Sequence, residues 1–256
     1  MPDHTNLQIE TDGPVFIATI NRPHVRNALD RVTADALARA FKDFDRNPDL
    51  RVGILTGAGG HFCAGADLKE LGSGVDYVPW GGAPEGPCYG TLSKPLIAAV
   101  SGYACAGGLG LALRCDMRVA DETAVFAVLS RRWGVPMSDG TTVRLPRLIG
   151  TGRALDMLLT ARKVEASEAL SIGLAERVVP KGQALNTAKE IAHDIAAFPQ
   201  IAMRSDRMSA VRQWSLSVDD ALALELELAD EARHREAQQG AKRFAAGEGR
   251  HGQRAI

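Results

Sequence analysis

Twice in the first half of this 256-residue chain, an apolar run that reads as a strand breaks into small residues and then into a helix start. The first run, residues 52–56, ends at Gly57 and is followed by Phe62, Cys63, Ala64, Gly65, Ala66, Asp67, Leu68, Lys69 and Glu70. The second, residues 96–100, follows Lys94 and Pro95 and leads through Ser101, Gly102, Tyr103, Ala104, Cys105 and Ala106 into Gly107, Gly108, Leu109 and Gly110. Backbone N–H groups at a helix start lack intrahelical partners and carry partial positive charge. Small residues let a ligand approach that backbone. One such turn is a modest anion site, and two converging on one oxygen make an oxyanion hole. The simpler reading of Gly107 to Gly110 is a helix packed tightly on a sheet.

The rest of the chain fits this punctuation. Residues 7–10 and 15–20 read as strands around a turn at Asp12, Gly13 and Pro14, and residues 117–120 as a further buried strand. Residues 33–45 read as an amphipathic helix with Leu37, Phe41 and Phe44 on one stripe, ended by Asn47 and Pro48. Buried strands separated by helices predict an α/β fold with mostly parallel pairing. Residues 72–90 are rich in Gly and Pro and lack a period. They read as a mobile surface loop, either a plain insertion or a lid. From about residue 150 the pattern is helical: 152–160, 166–172, 183–197, 200–212 and 217–246. In the last, Ala221, Leu222, Leu224, Leu226, Leu228 and Ala229 cover more than one face. Such a helix packs on several neighbours or on another subunit. The expected division is a core over residues 1–195 and a helical self-association region over 196–256.

Composition removes several function classes. A formal net charge of -1 gives no support to nucleic-acid binding, and aromatics at 5% argue against a stacking platform for single strands. Cys63, Cys88, Cys105 and Cys115 form no C-x-x-C pair, so no metal site is expected. The first ten residues are polar, without the profile of a signal peptide, and no apolar run approaches the roughly 20 residues of a membrane span. The expectation is a cytoplasmic protein with free thiols. Gly107 to Gly110 lacks the third glycine of a dinucleotide fingerprint, and the chain has no G-x-S-x-G elbow of a serine hydrolase.

Together with Ile20, Asn21, Arg22, Pro23, Arg26, Asn27, Ala28 and Leu29, the two turns resemble the crotonase (enoyl-CoA hydratase/isomerase) superfamily. Residues 115–120, 144–150 and 166–179 continue the likeness in order. The resemblance implies a spiral of ββα turns capped by C-terminal helices, assembled as homotrimers or dimers of trimers. It implies an acyl-CoA thioester as substrate, with coenzyme A part of that substrate and no separate cofactor. Position by position, Ala66 and Gly107 would supply the two oxyanion N–H groups. Arg26, Ala28, Ala64, Asp67 and Leu68 would border the CoA moiety, and Arg22, Arg26 and Lys69 are candidate phosphate contacts, the alternative being solvated surface charges.

The chain departs from the family where acid/base chemistry is expected. The glutamate three residues after the oxyanion glycine is replaced by Gly110, and the second, four residues before Gly134, by Ser130. A serine is no strong base without an activating neighbour. Asp139 stands in the turn that opens the next helix, where other crotonase-type enzymes keep a catalytic aspartate one position earlier. It reads either as the displaced acid/base or as the cap of a helix beginning near Thr141. Arg131 and Arg132 would contact a substrate carboxylate or hold the helix, and Trp133 reads as core. Hydration of a 2-enoyl-CoA is the default reaction, and the alternative is a non-catalytic acyl-CoA binder or structural subunit.

Overall fold

A computed structural model describes residues 6–73, 80, 81 and 83–248. The start of the polar N-terminal stretch and residues 74–79 and 82 of the Gly/Pro-rich loop lie outside the described residues. The strands are β1 (Leu7–Asp12), β2 (Val15–Ile20), β3 (Val52–Gly57), β4 (Leu96–Val100), β5 (Tyr103–Cys105), β6 (Met117–Asp121), β7 (Val125–Ala127), β8 (Lys163–Glu165) and β9 (Arg177–Val179). The main sheet runs β1-β2-β3-β4-β6-β9, with β1 antiparallel and the rest parallel. A smaller sheet, β5-β7-β8, lies beside it.

The parallel strands are near-continuous apolar runs because both faces of the sheet are covered. Alternation along each strand sorts side chains between two cores. Phe16, Ala18, Ile20, Leu55, Leu96, Ala98 and Val100 join one, and Val15, Ile17, Val52, Ile54, Ile97 and Ala99 join the other. The first core is covered by α1 (Arg31–Arg46), whose Asp30 caps it by accepting a hydrogen bond from the Thr33 N–H at 2.8 Å. Leu37, Phe41 and Phe44 of α1 are buried, each contributing about 1.5–3 kcal/mol.

The short α2 (Leu68–Leu71) and α3 (Gly107–Arg114) start at the two small-residue turns. Next come α4 (Thr141–Ile149), α5 (Thr151–Thr160) and α6 (Ala166–Ser171). The second core is closed by α7 (Ala184–Ala197) through Ala184, Ala188, Ile191, Ala192 and Ala196.

Beyond it are α8 (Gln200–Arg212), α9 (Val218–Ala232) and α10 (Gln238–Ala245). The long C-terminal helix expected from sequence carries a π turn at Arg233–Ala237 between α9 and α10. That turn places Glu236 to accept from the Ile201 and Ala202 N–H groups at 3.0 and 2.8 Å, which caps α8. One stripe of α9 is unpartnered, with Val218, Leu222 and Leu226 between 55% and 76% exposed. No helix among the described residues is long and apolar enough to cross a membrane.

Candidate active site

The two small-residue turns are laced together by main-chain hydrogen bonds. The Cys63 N–H donates to the Tyr103 carbonyl at 2.8 Å, and the Cys105 N–H donates to the Cys63 carbonyl at 2.9 Å. On the other side, the Leu29 N–H donates to the Gly65 carbonyl and the Asp67 N–H to the Leu29 carbonyl. Gly65, at φ +104°, is the pivot. A β-carbon there would stand 3.0 Å from the Gly107 nitrogen and 2.9 Å from the Ala106 β-carbon. Only a glycine lets the turns approach this closely. Ala106 itself has φ 49° and ψ -123°, a strained geometry for a residue with a side chain, held immediately before Gly107.

The Ala66 and Gly107 N–H groups are among those this lacing leaves over. Neither donates a hydrogen bond among the described residues, while the flanking N–H groups of Gly65, Asp67 and Ala106 all have acceptors. The Gly107 N–H also heads α3, where the helix dipole favours negative charge.

Against this turn lies Asp139. Its β-carbon and Oδ1 are each 2.7 Å from the place a β-carbon on Gly110 would occupy. Its Oδ2 is 3.6 Å from the corresponding place on Gly107. Asp139 is 5% exposed. Oδ1 accepts from the Thr141 N–H at 2.9 Å, an Asx turn just ahead of α4, whose N-cap residue is Gly140 and not Asp139. The Asp139 main-chain carbonyl accepts from Arg144 Nη1 at 3.0 Å, which fixes the turn. Burial raises the Asp139 pKa above the ordinary carboxylate value, opposed by the Thr141 hydrogen bonds and the Arg144 charge. Burial also pushes the neighbouring Cys63 thiol up to about 12, so it is neutral at working pH. A cavity of about 760 Å3 has Ser138, Asp139, Val143 and Leu148 in its wall, but neither Gly107 nor Trp80.

Ser130 is buried, and its hydroxyl donates to the Met137 sulfur at 3.2 Å, not to a base. Trp133 corrects the expectation of a core residue: it is 71% exposed, because the 3-10 turn Leu129–Trp133 points its end outward. Arg131 and Arg132 are also exposed, and Arg132 Nη2 reaches the Ala161 carbonyl at 3.4 Å.

The residues expected around CoA divide into two groups. Arg22 is a buried clamp and not a surface phosphate contact. It pairs with Asp30 and Asp67, each at 3.1 Å, and donates to the Ala28 carbonyl. Asp67 is therefore engaged by Arg22, and its other oxygen caps α2 by accepting from the Lys69 N–H at 3.1 Å. Buried Asn27 staples the same loop, donating to the Ala58 and His61 carbonyls. Arg26, Leu68 and Lys69 are exposed, Ala64 is partly buried and Ala28 is buried. The Arg26 guanidinium lies over the Tyr103 ring at 5.4 Å. This face keeps Arg26 and Lys69 free of any ion pair among the described residues.

The Gly/Pro-rich loop contributes a residue that sequence reasoning missed. Far from lying on the surface, Trp80, Gly81 and Cys88 are buried. The Trp80 ring is 3.0 Å from the place of a Gly107 β-carbon, and Gly81 abuts Asp139. The available signal was a large aromatic side chain beside Gly81 and Gly82 in a segment of small residues. Among the described residues no cluster of three His, Cys, Asp or Glu side chains is arranged to hold a metal.

The sequence matches the family described as Enoyl-CoA hydratase/isomerase over residues 10–251. It is 37% identical over 243 residues to the enoyl-CoA hydratase EchA19 of Mycobacterium tuberculosis, covering 88% of this chain and 90% of that protein. It is also 37% identical over 203 residues to the carnitinyl-CoA dehydratase of Salmonella paratyphi A, covering 77% of each. The crystal structure of enoyl-CoA hydratase EchA1 from Mycobacterium marinum superposes with a TM-score of 0.89 at 33% identity, over 95% of this chain and 96% of that one. With the α/β architecture and helical C-terminus described above, these matches make the chain a crotonase-fold enzyme of the hydratase or lyase type, a member of the enoyl-CoA hydratase/isomerase family.

Proposed function

We propose that this enzyme binds an acyl-CoA thioester with its carbonyl oxygen between the Ala66 and Gly107 N–H groups, and that Asp139 alone performs the proton transfers. The observation that carries this reading is the Asp139 carboxyl group filling the space next to Gly107 that a side chain on Gly110 would need. The acid/base absent from position 110 of the chain is supplied there from the start of α4.

The chemistry follows for hydration of a 2-enoyl-CoA, the default reaction. Ionised Asp139 takes a proton from water as the water oxygen bonds to the β-carbon. The electron pair of the carbon–carbon double bond moves toward the thioester, and charge builds on the carbonyl oxygen. Two backbone donors stabilise that charge, each worth on the order of 3 kcal/mol in the transition state. Protonated Asp139 then returns the same proton to the α-carbon. One carboxyl group thus closes the cycle, and its raised pKa brings it nearer the working pH of a general acid/base. The same group would carry a proton between carbons in a double-bond isomerisation.

Exposed Arg26 and Lys69, beside the Ala66 turn, fit the phosphates of CoA. The unpartnered stripe of α9 supports self-association through the helical part, residues 196–256, as a homotrimer or dimer of trimers. Four buried free thiols fit the reducing cytoplasm. The test is turnover of a panel of 2- and 3-enoyl-CoA thioesters by the wild type and Asp139→Asn. Turnover that disappears in the variant while acyl-CoA binding persists supports the reading. Equal turnover by both proteins refutes it.

A further inference from the structure

The cavity of about 760 Å3 beside Asp139 holds more positive charge than its own acids neutralise. Its wall includes Arg114, Arg118, Arg144, Arg147 and Arg207 against two carboxylates, Asp116 and Asp139. Arg207 is paired with Asp116 at 2.9 Å, and Arg118 with Glu176. Asp139 gives its carboxyl group to Thr141 and to the space beside Gly110. Arg144 donates to the main-chain carbonyls of Asp139 and Cys88, at 3.0 and 2.8 Å. Arg147 is exposed, with its guanidinium over the Trp214 ring at 5.5 Å. The Nε of partly buried Arg114 is out of water without a hydrogen-bond partner among the described residues. Burial, and then the nearby Arg144 charge, hold the Arg114 pKa down.

Arg114, Arg144 and Arg147 therefore line one space, and none of the three has an ion pair among the described residues. A charge held out of water without a partner is costly, and an anion between these groups would offset that cost. Much of the remaining wall is apolar, from Leu92, Leu96, Leu113, Val143 and Leu148. A guanidinium matches a carboxylate in a planar, two-point geometry, and an apolar wall suits the chain behind it. We infer that this cavity is a binding site for a carboxylate carried on a short apolar chain. Two sources share that chemistry. One is a free carboxylic acid, and the other is the far end of an acyl group, since Asp139 stands beside Gly107 and also in the cavity wall. The inference stands on the cavity and not on the position of the thioester oxygen.

Calorimetric titration of the full chain at low salt with hexanoate, hexanoyl-CoA, adipoyl-CoA and inorganic phosphate tests this. Adipoyl-CoA differs from hexanoyl-CoA by a carboxylate in place of the terminal methyl group. One or both of two results are expected. Saturable hexanoate binding, weakened at least about tenfold in Arg114→Met, assigns the site to a free acid. Adipoyl-CoA binding at least about tenfold tighter than hexanoyl-CoA, with the difference lost in Arg114→Met, assigns it to the acyl group. Methionine keeps an apolar stem and removes the charge. If Arg114→Met does not fold, Arg147→Met supplies the same comparison. Failure of both thioesters to bind counts against the oxyanion reading and leaves hexanoate to decide this one. Absence of hexanoate binding together with no preference for adipoyl-CoA would overturn the inference. So would binding that is unchanged in the variant, or phosphate bound more tightly than either carboxylate probe.

Discussion

Asp139 and Gly110 share one volume: the Asp139 β-carbon and Oδ1 both lie 2.7 Å from where the first atom of a side chain on Gly110 would stand. The two residues are far apart in sequence, Gly110 inside α3 and Asp139 in the turn ahead of α4, yet neither position tolerates a larger group while the other keeps its own. A glycine in the middle of α3 costs helix stability of about 1 kcal/mol relative to alanine. Here it admits a carboxyl group to the space beside Gly107.

Asp139→Asn keeps the size of the side chain and an oxygen to accept from Thr141, and removes only the ionisable proton. Turnover is expected to fall about 10²- to 10⁴-fold, the range for a lost general acid/base, with acyl-CoA affinity within a few-fold of wild type. Single-turnover kinetics and calorimetry on the same preparation check both halves.

Gly110→Ala adds one carbon at the shared volume. Overpacking of this kind costs about 1–3 kcal/mol and displaces Asp139 from Gly107. Turnover is expected to drop at least tenfold, on the order of one methylene's misplacement, although no ionisable group is touched. The double variant Gly110→Glu with Asp139→Gly returns a carboxyl group from the other side, and it is expected to be more active than Gly110→Glu alone. Steady-state kinetics of the three variants decides this.

The raised pKa of Asp139 has a defined sign in both activity and stability. As a base it must be ionised, so kcat/KM is expected to fall with decreasing pH at a value above the ordinary 3.8 of an aspartate. For stability, the folded state holds this proton more tightly than the unfolded state. Stability contributed by the protonated carboxyl is present below the unfolded pKa and lost as pH rises through the folded one. Melting temperatures of wild type and Asp139→Asn are therefore expected to diverge as pH rises across that window, with the variant the more stable at its upper end.

Arg22 and Lys69 are expected to separate stability from binding. Arg22→Ala leaves Asp30 and Asp67 facing each other without a cation, and losing one member of a buried ion pair typically costs about 3–5 kcal/mol. Its denaturant midpoint is expected to fall. Lys69→Ala is expected to leave that midpoint unchanged and weaken CoA-thioester binding a few-fold, more at low salt than at high.

Periodicity made the sheet legible in the sequence. The runs at 52–56, 96–100 and 117–120 are buried strands, α1 falls where its apolar stripe and stop signal fall, and α7 and α8 fall in stretches whose composition reads as helical. Strands β5, β7, β8 and β9 span three residues each, too few for a pattern to emerge above chance. Trp133 was misread because an aromatic side chain next to two arginines in a turn carries no period, and burial there depends on where the turn points. Arg22 reads in sequence as a phosphate contact or a solvated surface charge and becomes a clamp only once Asp30 and Asp67 are folded around it. At the site, the loss of side chain at Gly110 was legible. Asp139 reads in sequence only as an ambiguous carboxylate beside a helix start, since its approach to Gly110 is made in three dimensions. The structure gives Asp139 a turn-closing bond to Thr141 ahead of α4 and a place beside Gly107 together.

The most direct measurement is a crystal structure of the full chain with butyryl-CoA. The account predicts the thioester oxygen about 2.7–3.1 Å from both the Ala66 and Gly107 nitrogens, with the Asp139 carboxyl group within about 3 Å of the α- or β-carbon's proton or an intervening water. A thioester oxygen bound elsewhere, or an Asp139 side chain turned away from the acyl carbons, would contradict it.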